Sequence, residues 1–139
     1  MTTQTLTAAD GHTLSAYRAD PGTASKAGLV VLQEIFGVNS HIRSVTDRFA
    51  GDGFVALAPA LFDRVEPGIE MGYTPDDIAR GRETRGKVTM EDALADTQAA
   101  INALKEEGLK VGVVGDCWGG SLAWASATRL DGVTCAVGY

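Results

Sequence analysis

Four short apolar runs constrain this chain more than any other feature. "LVVLQ" (29–33), "FVALAP" (54–59), "KVGVVG" (110–115) and "VTCAVGY" (133–139) show no strict apolar-polar alternation. A strand with one wet face alternates; a continuous run this short belongs to a strand covered on both faces, as in a parallel sheet. Between the runs lie segments of helical period. Asn39 or Ser40 caps one in which Ile42, Val45 and Phe49 recur, with Gly51 or Gly53 as its end. Thr89 caps a second, with Met90, Leu94, Thr97, Ile101 and Leu104 at alternating steps of four and three before Gly108. A small-residue helix, "GGSLAWASATRL", follows the third run. This alternation predicts an α/β fold: a mostly parallel central sheet, helices on both faces, right-handed crossovers.

Two segments depart from the pattern. The start reads as an antiparallel hairpin, "TQTLTA" and "HTLSAYRA" around Asp10 and Gly11, with Leu14, Ala16 and Arg18 in alternation. In "DDIARGRETRGK" (76–87) the leading acids suit a helix N-terminus, but two glycines predict a weak or broken helix. Before it, Pro59 to Pro75 is a longer irregular stretch than a connection needs, and such stretches often line a site.

The 139 residues, 45% hydrophobic, suffice for a single domain spanning residues 1–139. A net charge of −6 without a basic stripe excludes a phosphate-backbone binder. No run approaches the length of a membrane span, and "MTTQTLTAADGH" lacks a basic-then-apolar leader, so the expectation is a cytoplasmic protein with no membrane partner. Cys117 and Cys135 are too few for a disulfide scaffold, and no Cys/His cluster has zinc-ligand spacing; no metal and no cofactor are expected. Cys135, inside the last apolar run, is expected to be a buried, inert thiol.

Cys117 is placed differently. In "GDCWGG" (115–120) it occupies the turn between a strand and a helix, fitting G-x-C-x-G, the cysteine form of the nucleophile elbow. Ligands of open α/β sheets bind beyond the carboxyl ends of the strands, where this turn lies. Flanking glycines permit a sharp turn, the helix N-terminus favours thiolate, and the Trp118 N–H is free to serve an oxyanion. Asp116 would oppose ionisation unless it turned aside. A dinucleotide loop fits poorly, since Cys117 stands where such a loop needs its second glycine.

A second stretch, "VVLQEIFGVN" (30–39), places Gln33 and Glu34 at the end of the first central strand, expected to face the same crevice. Together, "QEIFG" and "GDCWGG" closely resemble the dienelactone hydrolase family of α/β-hydrolases. The likeness extends through "ADGH", "GFVALAPALF", "MEDALADTQAAI" and "AVGY". It implies that Cys117 is the nucleophile toward an ester or lactone carbonyl. It also implies that Glu34 contacts the resting cysteine and assists thiolate formation, and that the N–H groups of Ile35 and Trp118 form the oxyanion hole. Arginines before the long helix bind an anionic substrate in the family; Arg80, Arg82 and Arg85 lie there, Arg80 and Arg82 being the candidates.

The family triad is Cys-Asp-His in chain order. Beyond Cys117 this sequence contains Asp131 but no histidine; His12 falls in the hairpin and His41 at a helix start, both read as surface or packing residues. The sequence resembles the N-terminal part of a family member, roughly three-fifths of its length. Two readings stay open. One is a thiol-dependent hydrolase of small, anionic esters or lactones whose domain is incomplete here, with the remaining C-terminal part, or self-association through an open sheet edge, completing it. The other is a truncated binding or thiol-reactive module without a triad.

Overall fold

The computed structural model describes residues 1–139. Its elements are β1 (Thr2–Thr7), β2 (Thr13–Ala19), β3 (Ala27–Leu32), α1 (Ser40–Gly51), β4 (Phe54–Pro59), a 3-10 turn (Leu61–Arg64), α2 (Pro75–Gly86), α3 (Met90–Glu106), β5 (Val111–Gly115), α4 (Trp118–Arg129) and β6 (Val133–Gly138). They form one six-stranded sheet in the order β1-β2-β4-β3-β5-β6. The hairpin β1–β2 is antiparallel and joins β4 antiparallel, whereas β4, β3, β5 and β6 run parallel. The predicted fold class therefore holds.

Side-chain alternation within each apolar run divides the core between two faces. Val30, Leu32, Val55, Leu57, Val111 and Val113 join one cluster with Ile101 and Leu104 of α3 and Leu122 of α4. Val31, Ala56 and Ala58 point oppositely and meet Ile42 of α1, flanked by Val45 and Phe49. Each fully buried leucine contributes about 1.5–3 kcal/mol relative to exposure. Both faces of β3 and β4 are covered, which is why their sequences do not alternate.

Local signals set the helix ends. The Asn39 side chain accepts from the Ile42 N–H at the start of α1, and Thr89 accepts from Asp92 at the start of α3. The apolar stripe of α3 is buried from Leu94 to Leu104, with Met90 half-buried at its head. Also on that buried face is Asp96, a carboxylate with no solvent exposure. Arg64 binds both of its oxygens, Nε to Oδ2 at 3.0 Å and Nη2 to Oδ1 at 2.8 Å, and reaches Asp10 of the hairpin turn at 2.6 Å.

Two expectations are corrected. The segment expected to be weak or broken is the continuous helix α2. Thr74 and Asp77 form a capping box ahead of it, and Pro75 occupies its first turn. One of its glycines, Gly81, is buried, and a Cβ there would run into the Ile35 carbonyl oxygen. Close approach, rather than helix breaking, is its function. Cys135 is exposed, not buried. It lies on β6, the outer strand of the sheet, where continuity of the apolar run does not bring cover on both faces.

Candidate active site

The site is built where β3 and β5, adjacent parallel strands, end side by side. After Gly115 the chain turns through Asp116 and Cys117 into α4. Cys117 has φ +57° and ψ −121°, and it alone among the non-glycine residues has positive φ. Such a conformation costs about 1–3 kcal/mol and persists only when its surroundings impose it. Here the Cys117 N–H donates to the Tyr139 carbonyl (3.1 Å), and its own carbonyl accepts from Gly120 (3.0 Å) and Ser121 (3.2 Å). The glycines let these backbones close: a Cβ on Gly115 would strike the Gly119 carbonyl, and one on Gly119 would lie 2.5 Å from the Leu32 carbonyl oxygen. The thiol is left exposed at the N-terminus of a 12-residue helix.

Beyond β3, the "QEIFG" residues separate. Gln33 does not face the crevice, contrary to expectation. It is fully buried, its amide oxygen accepting from the Leu61 N–H (3.0 Å) and its amide nitrogen donating to the Glu34 carbonyl (3.0 Å). It joins the end of β3 to the loop after β4. Ile35, Cys117 and Trp118 line one open cavity of about 510 Å³, and Arg82 and Arg85 of α2 line it with them. Neither the Ile35 nor the Trp118 N–H is used in a hydrogen bond within the protein. The Trp118 ring is fixed by stacking on Phe62 of the 3-10 turn, centroids 5.6 Å apart. Arg80 is exposed and not part of this cavity. A second opening of about 710 Å³ between α4 and β6 also reaches Cys117 and carries the exposed Trp124.

Glu34 is half-buried and makes no hydrogen bond to Cys117. Its Oε2 accepts instead from the Tyr73 hydroxyl at 2.7 Å. With His41 and Asp116 it borders a narrower cleft of about 160 Å³ beside α1. Asp116 lines neither of the two cavities that contain Cys117. Burial pushes the Tyr73 phenol above its ordinary range; the Asn39 hydrogen bond opposes this, and the charges of Glu34 and Asp116 add to it. Tyr73 carried no signal in the sequence, although the long segment flagged as lining a site contains it. His12 is half-buried in the hairpin, and His41 stands at the head of α1, edge-on to Tyr73 at 6.3 Å. Neither bonds to Cys117.

The arrangement offers an exposed sulfur at a helix N-terminus, two unused N–H donors and two arginines around one opening, which suits attack on a carbonyl. Known proteins are similar to this chain over most of its length. A candidate carboxymethylenebutenolidase of Synechocystis sp. is 42% identical over 123 residues, 83% of this chain and 49% of its own length. The carboxymethylenebutenolidase of Pseudomonas putida is 37% identical over 137 residues, 94% of this chain and 56% of its own. Among solved structures, a dienelactone hydrolase candidate from Klebsiella pneumoniae superposes with a TM-score of 0.75 at 29% identity, over 92% of this chain and 55% of its own. The chain spans about half the length of the curated relatives it matches. The sequence model of the dienelactone hydrolase family matches residues 14–139, from the hairpin through the elbow to the last strand, and with that match this chain belongs to the dienelactone hydrolase family.

Proposed function

We propose that the chain supplies the nucleophile and oxyanion hole of a thiol-dependent hydrolase acting on small, anionic esters or lactones. The observation that carries this reading is the shared cavity lined by the exposed Cys117, by Ile35 and Trp118, whose N–H groups make no hydrogen bond within the protein, and by Arg82 and Arg85. The Cys117 thiolate attacks the carbonyl carbon, and the carbonyl π electrons move to oxygen, where the two N–H groups receive the charge. Collapse of that adduct re-forms the C=O, breaks the C–O bond of the alcohol portion and leaves a thioester on Sγ. Water then cleaves the thioester. The guanidinium groups are suited to a substrate carboxylate, since arginine donates in a planar fork. Protonation of the leaving alkoxide needs a general acid, for which no residue of this chain is assigned.

The test is acylation with an activated small ester, read by intact mass. Wild type is expected to gain one acyl group on Cys117, and Cys117→Ser to keep its fold while losing turnover by about 10²-fold or more, since serine without a base is a far weaker nucleophile. Unchanged turnover in Cys117→Ser would refute the assignment. A second reading, a binding or thiol-reactive module, is favoured by one observation: neither histidine of the chain bonds to Cys117. Such a module would be labelled at Cys117 by an electrophile yet would not turn over the ester.

A further inference from the structure

Gln33 is buried outside the cavity of Cys117, and its amide bonds to two backbone groups. We infer that Gln33 is a positioning residue for the oxyanion hole: its side-chain amide holds the Glu34 carbonyl and so sets the direction of the Ile35 N–H. The inference rests on the reading of that N–H as an oxyanion donor and extends the site to a side chain behind it.

Planarity of the peptide carries the argument. The C=O of one residue and the N–H of the next belong to one rigid trans unit and point in opposite directions, and no peptide bond of the chain is cis. Gln33 Nε2 donates to the Glu34 carbonyl at 3.0 Å, so the Ile35 N–H faces away from this amide, and it meets no acceptor within the protein. The amide itself has only one satisfactory orientation. Its Oε1 accepts from the Leu61 N–H at 3.0 Å, and exchanging oxygen and nitrogen would set donor against donor and acceptor against acceptor. Gln33 has no solvent exposure, so bulk water competes for neither bond.

The neighbouring peptides are held by other means, which leaves this one to Gln33. The Leu32 and Gln33 carbonyls lie against Gly119 at the head of α4, where a Cβ would come within 2.5 and 2.6 Å of their oxygens. The Ile35 carbonyl packs on Gly81 of α2, and the Phe36 carbonyl accepts from the Met71 N–H at 2.9 Å. Of these carbonyls, that of Glu34 alone accepts from a side chain. Without that bond the Glu34–Ile35 unit can turn between its fixed neighbours, which would put a carbonyl oxygen where an oxyanion requires a hydrogen.

The test compares two reactions of one sulfur, in a Cys135→Ser background because Cys135 is also exposed. Acylation of Cys117 by an activated small ester passes through an oxyanion, whereas alkylation by iodoacetamide displaces iodide at carbon and does not. Gln33→Met keeps the buried volume and removes both amide bonds. It is expected to slow acylation by about tenfold or more at unchanged half-saturation by the ester, part of the about 10²–10³ that a lost oxyanion donor costs, and to leave alkylation within about twofold. Equal slowing of both reactions, or of neither, would overturn the inference. Gln33→Glu serves if that variant does not fold. Burial favours its neutral acid, which still accepts from Leu61 and donates its O–H to the Glu34 carbonyl, while the carboxylate has no proton to give. Its ratio of acylation to alkylation is expected to fall between about pH 5 and pH 9 as the new carboxyl ionises, and a ratio parallel to wild type would count against Gln33. A crystal structure of Gln33→Met needs neither reaction: the Glu34 carbonyl is expected to leave its wild-type direction, and an unmoved carbonyl would overturn the inference. Absent acylation of wild type would instead sink the hydrolase reading, with the structure still deciding what Gln33 does.

Discussion

At the scale of single residues, the conformation of Cys117 is the most informative fact in the molecule. Its φ of +57° is a glycine's conformation occupied by a side chain that gains nothing from it in packing, because the thiol is exposed. If the strain serves presentation of the sulfur, relieving it should stabilise the fold while ending its chemistry. Cys117→Gly is expected to raise the unfolding free energy by about 1 kcal/mol, since relief of about 1–3 kcal/mol of strain exceeds the extra backbone entropy of glycine, about 0.5–1 kcal/mol. Chemical denaturation checks it, and a variant less stable than wild type would mean that the thiol itself holds the turn. The elbow was legible in the sequence because glycines at fixed offsets around one nucleophile encode a backbone path. Tyr73 was not. Its meeting with Glu34 joins a loop residue to a strand end 39 positions away, and neither period nor spacing records such a pairing.

At the scale of elements, α2 separates what propensity says from what packing decides. Two glycines in one short helix argue against it locally, yet its capping box and its seat on the Ile35 carbonyl override them. The two glycines then differ in kind. At Gly81 an added methyl meets backbone that belongs to the proposed oxyanion loop, whereas at Gly86 it meets nothing within 4 Å. Gly81→Ala is accordingly expected to destabilise by about 1–3 kcal/mol, as overpacking does, and to disturb acylation of Cys117 through Ile35. Gly86→Ala is expected to be neutral or to stabilise by up to about 1 kcal/mol. Thermal melts of the two variants check the pair; equal effects would show that helix propensity, not close approach, governs this element. The strands were read correctly for the complementary reason. Their burial on both faces suppresses alternation, and only β6, an outer strand with exposed Cys135 and Val137, breaks that inference.

At the scale of the whole molecule, the antiparallel hairpin is an addition to a parallel sheet, and charge fastens it to α3 at two points. Arg18 of β2 binds Asp20 at 2.8 Å and Glu107, beyond the end of α3, at 2.7 Å, while Arg64 links Asp10 of the hairpin turn to Asp92 and Asp96 of α3. Hydrogen bonding to Arg64 holds the Asp10 carboxyl down at about 2, and hydrogen bonding to Arg18 holds Asp20 and Glu107 below the usual carboxylate range. Asp96 runs the other way, burial pushing it up against the opposing pull of Arg64. The signs follow from proton linkage. A carboxyl depressed by folding binds fewer protons in the native chain than in the unfolded one, so its contribution is present above the unfolded value, near 4, and is lost as pH falls through the folded value. A raised carboxyl such as Asp96 does the reverse and is relieved of its burial cost in acid. Three depressed carboxyls against one raised one predict a melting temperature that falls between about pH 4 and pH 2. Glu107→Gln and Asp10→Asn each remove a group whose protonation drives that fall, so each variant is expected to start lower at pH 7 and to lose less on acidification. Melting curves parallel to wild type across this interval would show that the hairpin is held by its apolar contacts, Leu6, Leu14 and Ala16 against the core, and not by these ions.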